Sequence, residues 1–125
     1  MSKEALRYIQ NAKETLARSP IEDNDYTDDK YVKVACGTAY LGILKTIDKH
    51  LLSHGVHQKE LPRKVEEYRK ALQKHVTPHN GKLLRKFDYL YDELHIAGYY
   101  RGNLHRVTMV KDALKGAKEF IEKLD

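Results

Sequence analysis

The segment 27–54 constrains this chain more than any other. Its middle, from Val34 to Leu44, is apolar or small nearly all round: Val-Ala-Cys-Gly-Thr-Ala-Tyr-Leu-Gly-Ile-Leu. A helix without a polar face has no side to give to water, so it must sit at the centre with neighbours on several sides. Thr27 opens it, and Asp28 and Asp29 fall in the first turn, where carboxylates suit the positive helix end. Gly55 is the natural residue just past its end. Ala35, Ala39 and Gly42 recur at i, i+4 and i+7, a small-residue face that admits another helix closely. Gly37 and Gly42 inside a helix each cost about 1 kcal/mol against alanine, which close packing must offset.

Four further segments carry the 3.6-residue apolar period. Helix one is expected over 2–18, with Ser2 as N-cap and Ala5, Tyr8, Ile9, Ala12 and Leu16 on one stripe. Ser19-Pro20 ends it, because the residue before proline avoids the α region. The acidic stretch from Ile21 to Tyr26 reads as a polar loop. Helix three is expected over 60–76, with Pro62 in its first turn and Leu61, Val65, Tyr68, Leu72 and Val76 inward. Thr77-Pro78-His79-Asn80-Gly81 is a strong breaker. Helix four follows over 82–97, with Leu83, Phe87, Leu90, Leu94 and Ala97 inward, until Gly98 to Gly102 interrupts it. Helix five is expected over 103–124, capped by Asn103, with Val107, Val110, Leu114, Ala117, Ile121 and Leu124 inward. No segment reads as a strand. The expectation is an all-α fold: a single domain over 1–125, an up-down bundle of about five helices around a long central helix two.

Composition narrows the function classes. With 125 residues, 41% apolar and 33% charged, the chain can bury a core and remain soluble. No apolar run approaches a membrane span, and the start of the chain opens directly into a charged amphipathic pattern without a secretory h-region. A cytoplasmic protein with no membrane partner is therefore expected. The lone Cys36 excludes an intrachain disulfide and a multi-cysteine zinc site, and reads as a small buried hydrophobe. A formal charge of +5 permits a polyanionic partner such as nucleic acid without requiring one, since basic residues are interspersed with acidic ones.

Few residues carry a chemical pattern. His50, His54 and His57 stand at i, i+4 and i+7, and the first pair has the spacing of a helical zinc chelate. The competing reading places these histidines against the last carbonyls of helix two. Asp92 and His95 have the i, i+3 spacing of a di-iron carboxylate-histidine ligand pair, but no second pair accompanies them. Asp48, beyond the apolar middle of helix two, is either a partly buried anion paired with Arg or Tyr, or a residue of the solvent edge. Tyr99, Tyr100, Arg101, Asn103, His105 and Arg106 gather aromatic, cationic and amide groups at one helix junction. They are the candidate residues for binding an anion or a partner, since free helix N–H groups and guanidinium groups attract anions. The alternative is structural: the tyrosines anchor the junction and Arg101 pairs with a carboxylate of 22–29. No glycine-rich phosphate loop or nucleophile triad is present, and no cofactor is expected.

Three stretches carry a family resemblance: Tyr8 to Lys13, Tyr31 to Leu51, and Tyr91 to Gly102. They look like a family of small uncharacterised bacterial proteins, mostly from Bacteroidetes, and the likeness would span nearly the whole chain. More loosely, Ala12 and Leu16, then Ala35, Ala39, Tyr40 and Gly55, resemble the outline of HEPN domains. That resemblance implies a HEPN-like helical bundle that dimerises, and an RNA-processing or nucleotide-handling activity of the toxin–antitoxin type. Its arginine–histidine signature falls on Arg101 and His105, one residue too close, or on Arg69 and His75 within one helix. The reading that needs least is a helical-bundle interaction module of unknown biochemical function, not an enzyme. It would form a homodimer through the small-residue face of helix two or an exposed tyrosine stripe, and a further protein partner fits the same reading.

Overall fold

The computed structural model describes residues 3–76 and 81–124. Ser2 and the stretch Thr77 to Asn80 lie outside the described residues. Helices dominate: α1 (Lys3–Leu16), α2 (Asp29–Ser53), α3 (Val65–Ala71), α4 (Lys82–Leu90) and α5 (Val107–Leu124). The all-α expectation is met, and α2 is the central element. It packs against α1, α5 and the helix that continues α4.

The ends of α2 follow from local chemistry. Asp28 is the N-cap, and its carboxylate accepts the Lys30 N–H at 3.1 Å. Gly55, at φ 90°, turns the chain past the other end, where Val56 N–H returns to the Leu51 carbonyl at 3.0 Å. Ala35, Ala39 and Gly42 are fully buried, and Gly42 lies against Tyr8 and the Ala5 carbonyl. The small-residue face of α2 is thus occupied by α1 of the same chain. This corrects its expected use as a surface for a second copy. Thr46, buried on the same helix, satisfies its hydroxyl by donating to the Gly42 carbonyl at 3.1 Å.

Two expected loops have structure. Ile21–Glu22 (β1) and Asp25–Tyr26 (β2) form a small antiparallel hairpin turned by Asp23 and Asn24, both at positive φ. Asp and Asn tolerate that region best among non-glycine residues, and two successive positive φ values suit a tight hairpin. Tyr26 is buried, contrary to the reading of 21–26 as wholly polar loop. Helix three begins later than expected. A 3-10 turn (Gln58–Glu60) precedes it, and α3 starts at Val65, with Pro62 in the connection. Glu67 reaches back to accept the Arg63 N–H at 2.7 Å, which fixes that start.

Both later helices widen into π winding. α3 passes into Leu72–Val76, and α4 into Tyr91–Tyr100. The second π segment carries the helix past the expected break at Gly98, and it closes with Arg101 N–H bonded to the Ile96 carbonyl at 2.8 Å, five residues back. α5 starts at Val107, not at Asn103. Residues 103–106 instead run beside the hairpin, with Tyr26 N–H donating to the His105 carbonyl and Val107 N–H to the Asn24 carbonyl, both at 2.9 Å. The hairpin supplies the acceptor that an N-cap at Asn103 was expected to provide.

Candidate interaction surface

Tyr91, His95 and Tyr99 recur every four residues along the second π segment. Wider winding than the α-helix brings such residues nearly above one another. Their rings form a ladder, with centroids 5.4 Å and 5.8 Å apart. Tyr40 of α2 flanks it, 4.9 Å from His95 and 5.9 Å from Tyr91, and connects it to Phe87 and then Phe120 in the core. A continuous run of rings therefore leads from the core to the half-exposed Tyr99. The sequence offered His95 only as half of an i, i+3 pair with Asp92. The structure places it in an aromatic stack, a role signalled by the four-residue spacing of Tyr91, His95 and Tyr99.

Where the ladder meets α2, a groove of about 420 Å³ opens. Val34, Gly37, Thr38, Leu41 and Leu44 line one side, and His95 and Tyr99 the other. Tyr99 lies directly on Gly37; a Cβ there would come 2.7 Å from its ring. Val34, Leu41 and Tyr99 remain 49%, 50% and 50% exposed. Large apolar side chains left open side by side on adjoining helices are the usual mark of a contact surface. No charged lysine, arginine or carboxylate lines the groove. Burial holds the His95 imidazole below its ordinary range, so the groove wall is uncharged at neutral pH.

The junction singled out in the sequence divides into two parts. His105 Nδ1 lies 3.2 Å from the Asp29 carboxylate, and Arg106 Nε lies 3.2 Å from that of Asp25. Arg106 also donates to the Asp23 carbonyl at 3.4 Å. Carboxylates of 22–29 are thus engaged by His105 and Arg106, where Arg101 was expected. Arg101 is exposed, and its side chain has no polar partner among the described residues. Tyr100 is the most open of the large apolar side chains, and Asn103 donates its N–H to the Ala97 carbonyl at 3.0 Å.

Of the three histidines, His54 meets a carbonyl of α2, as the competing sequence reading had it, whereas His50 turns to the end of α5 and His57 caps the 3-10 turn. His50 and His54 stack at 4.1 Å; His50 Nδ1 meets the Leu124 carbonyl at 3.3 Å and His54 Nδ1 the His50 carbonyl at 2.8 Å. His57 Nδ1 accepts from Lys59 N–H at 3.2 Å. Among the described residues no group of three His, Cys, Asp or Glu is arranged to hold a metal ion. Asp48 is the partly buried anion of the two alternatives, accepting the Tyr68 hydroxyl at 2.9 Å. Cys36 is fully buried, and burial, reinforced by Glu93, pushes its thiol up to about 12. It stays protonated at neutral pH and is a core residue.

These shifts set a pH dependence. Burial lowers the His50 pKa, with the charges of His54 and His75 adding and the Leu124 carbonyl opposing; burial alone lowers His95. The folded chain then binds fewer protons than the unfolded chain just below the ordinary imidazole value of 6.5, so stability falls as pH drops through that range. Asp48, raised by burial, acts oppositely at lower pH, where its protonation favours the folded state. Thermal melts from pH 7.5 to 5.5 are expected to show a falling midpoint. The slope should shrink in a His50→Gln, His95→Gln variant; an unchanged slope would contradict the burial argument.

A helical bundle with an aromatic-walled groove on its central helix defines a small all-α class. Within that class, the chain belongs to the family described as a domain of unknown function, DUF5618, whose model matches residues 1–125. A solved structure of a protein of unknown function from Dyadobacter fermentans is 31% identical, with a TM-score of 0.80 over 97% of this chain and 89% of that one. None of the curated proteins matches. The expected kinship with uncharacterised Bacteroidetes proteins agrees with that neighbour, and the biochemical function of the family is unknown. Among the described residues no helix is long and apolar enough to cross a membrane.

Proposed function

We propose that this chain is a small interaction module that works as a homodimer joined through the groove between α2 and the second π segment. The carrying observation is the unpartnered apolar wall of Val34, Leu41 and Tyr99. Its arrangement suits two-fold symmetry. Val34 and Leu41 lie on either side of Gly37 and Thr38 along α2. Two antiparallel copies of α2 crossing at those small residues set each Val34 against the Leu41 of the other copy, a self-complementary contact.

Light scattering on the eluting protein at micromolar concentration is expected to give twice the 14.6 kDa chain mass. Leu41→Lys places an ammonium group at the centre of the contact, on a half-exposed site where the fold tolerates it. It should give a monomer with unchanged helical circular dichroism. A monomeric native chain, or a variant that remains dimeric, sinks the proposal.

A further inference from the structure

The second groove of this protein lies between the end of α1 and the middle of α5, and shares no residue with the first. Its volume is about 510 Å³. Leu16, Ala17 and Leu114 form an apolar floor, and Lys13, Lys111, Lys115 and Lys118 stand around it. No carboxylate lines it, and none of the four lysines takes part in an ion pair among the described residues. The other charged grooves differ. The one beneath the 3-10 turn carries Glu60 and Glu67 beside its cations, and the one by Leu52 carries Glu4 and Asp48.

We propose that this groove docks an acidic amphipathic helix of a partner protein. Lys111, Lys115 and Lys118 stand at i, i+4 and i+7, and so run about 10 Å along one side of the groove. A helix laid alongside presents carboxylates at the same repeat, while its apolar stripe covers Leu16, Ala17 and Leu114. Lys13 closes the opposite rim and meets the other flank of the partner. Lysine suits this role because its methylene stem extends the apolar floor while its ammonium reaches past it. The net charge of +5 steers an acidic partner toward the chain. Nucleic acid fits less well. Platforms for single strands pair cations with aromatic faces, and neither an aromatic ring nor an arginine lines this groove. A phosphodiester backbone also gains nothing from an apolar floor.

The test uses a labelled peptide of about 18 residues, five helical turns, with leucines on one face and glutamates on both flanks. A scrambled peptide of the same composition is the control. By fluorescence anisotropy at moderate salt, the amphipathic peptide should bind the full chain about tenfold more tightly than the scramble. The variant Lys111→Gln, Lys115→Gln, Lys118→Gln should lose about tenfold, the sum of several exposed charge pairs. All three sites are exposed and glutamine is a good helix former, so circular dichroism should confirm an intact fold. Ala17→Gln, which sets an uncharged polar group on the floor, should weaken the peptide and leave the charge of the lysines unchanged. Equal binding of the scramble, indifference to either variant, absence of binding, or displacement of the peptide by an equal concentration of single-stranded RNA overturns the proposal. The Leu41→Lys monomer should bind the peptide as well as the native chain, so this result stands or falls apart from dimerisation.

Discussion

Replacing Gly98 with alanine should destabilise the fold by about 1–3 kcal/mol, the usual range for overpacking a close contact. The same change in an exposed helix interior would stabilise by about 1 kcal/mol, so the sign itself is diagnostic. Gly98 is buried where the second π segment crosses α2. A Cβ there would lie 2.5 Å from Cys36 Sγ, 2.7 Å from Cys36 Cβ and 3.1 Å from the Glu93 carbonyl oxygen. Rotating the Cys36 side chain relieves only the first of these, because its Cβ is fixed by the backbone of α2. The remaining relief is to lift the π segment, which carries His95 and Tyr99, off its neighbour. Urea titration should therefore show a lower midpoint for Gly98→Ala. Adding Cys36→Ala should recover part of the loss, because Sγ leaves and Cβ stays, so the two changes should be non-additive. A Gly98→Ala protein as stable as the native chain would show that the helices do not approach as described.

How far the sequence foretold this arrangement depends on which residues were asked. The apolar girdle of α2 placed it at the centre without help, because no amphipathic face was available to it. Gly55 marked its end because a positive φ is cheap for glycine. Tertiary partners decided the rest. Ala35, Ala39 and Gly42 advertise close packing equally well to α1 and to a second molecule, and composition does not distinguish them. Asp23 and Asn24 are turn formers, but the strands they join are two residues each and surrounded by acids, so no alternation of apolar and polar residues revealed them. π winding was not legible, since the four-residue spacing of Tyr91, His95 and Tyr99 fits an α-helix as well as the wider one. At the candidate surface, Tyr99 was recognised as unusual, yet its assignment to a polar junction missed Val34, Gly37 and Leu41, which reach it from a helix some sixty residues earlier in the chain.

The aromatic run also makes Phe87 the side chain whose loss should cost most. It is fully buried on α4, and its ring lies 6.4 Å from that of Tyr40 on α2 and 6.3 Å from that of Phe120 on α5. Phe87→Ala removes the bridge between three helices and leaves a void that close-packed neighbours cannot fill; such changes cost about 3–5 kcal/mol. Against a total of about 5–15 kcal/mol for a domain of this kind, that is a fifth of the margin or more. Phe87→Leu keeps most of the buried volume and loses mainly the ring contacts, worth about 0.5–1.5 kcal/mol each. Denaturant unfolding should rank native, Phe87→Leu and Phe87→Ala in that order. Tyr40 links this residue to the outer ladder, so the same series reaches the surface. With Phe87 truncated, Tyr40 loses a supporting ring, and His95 and Tyr99 lose the rigid backing on which their groove depends. If the groove joins two copies, the dimer of Phe87→Ala should dissociate at a higher protein concentration than the native one while the chain is still folded. Phe120→Ala in the Phe87→Ala background should then cost less than it does alone, because the two rings share one contact. Full additivity would mean that the rings are energetically separate, and the run from core to groove would not act as one unit.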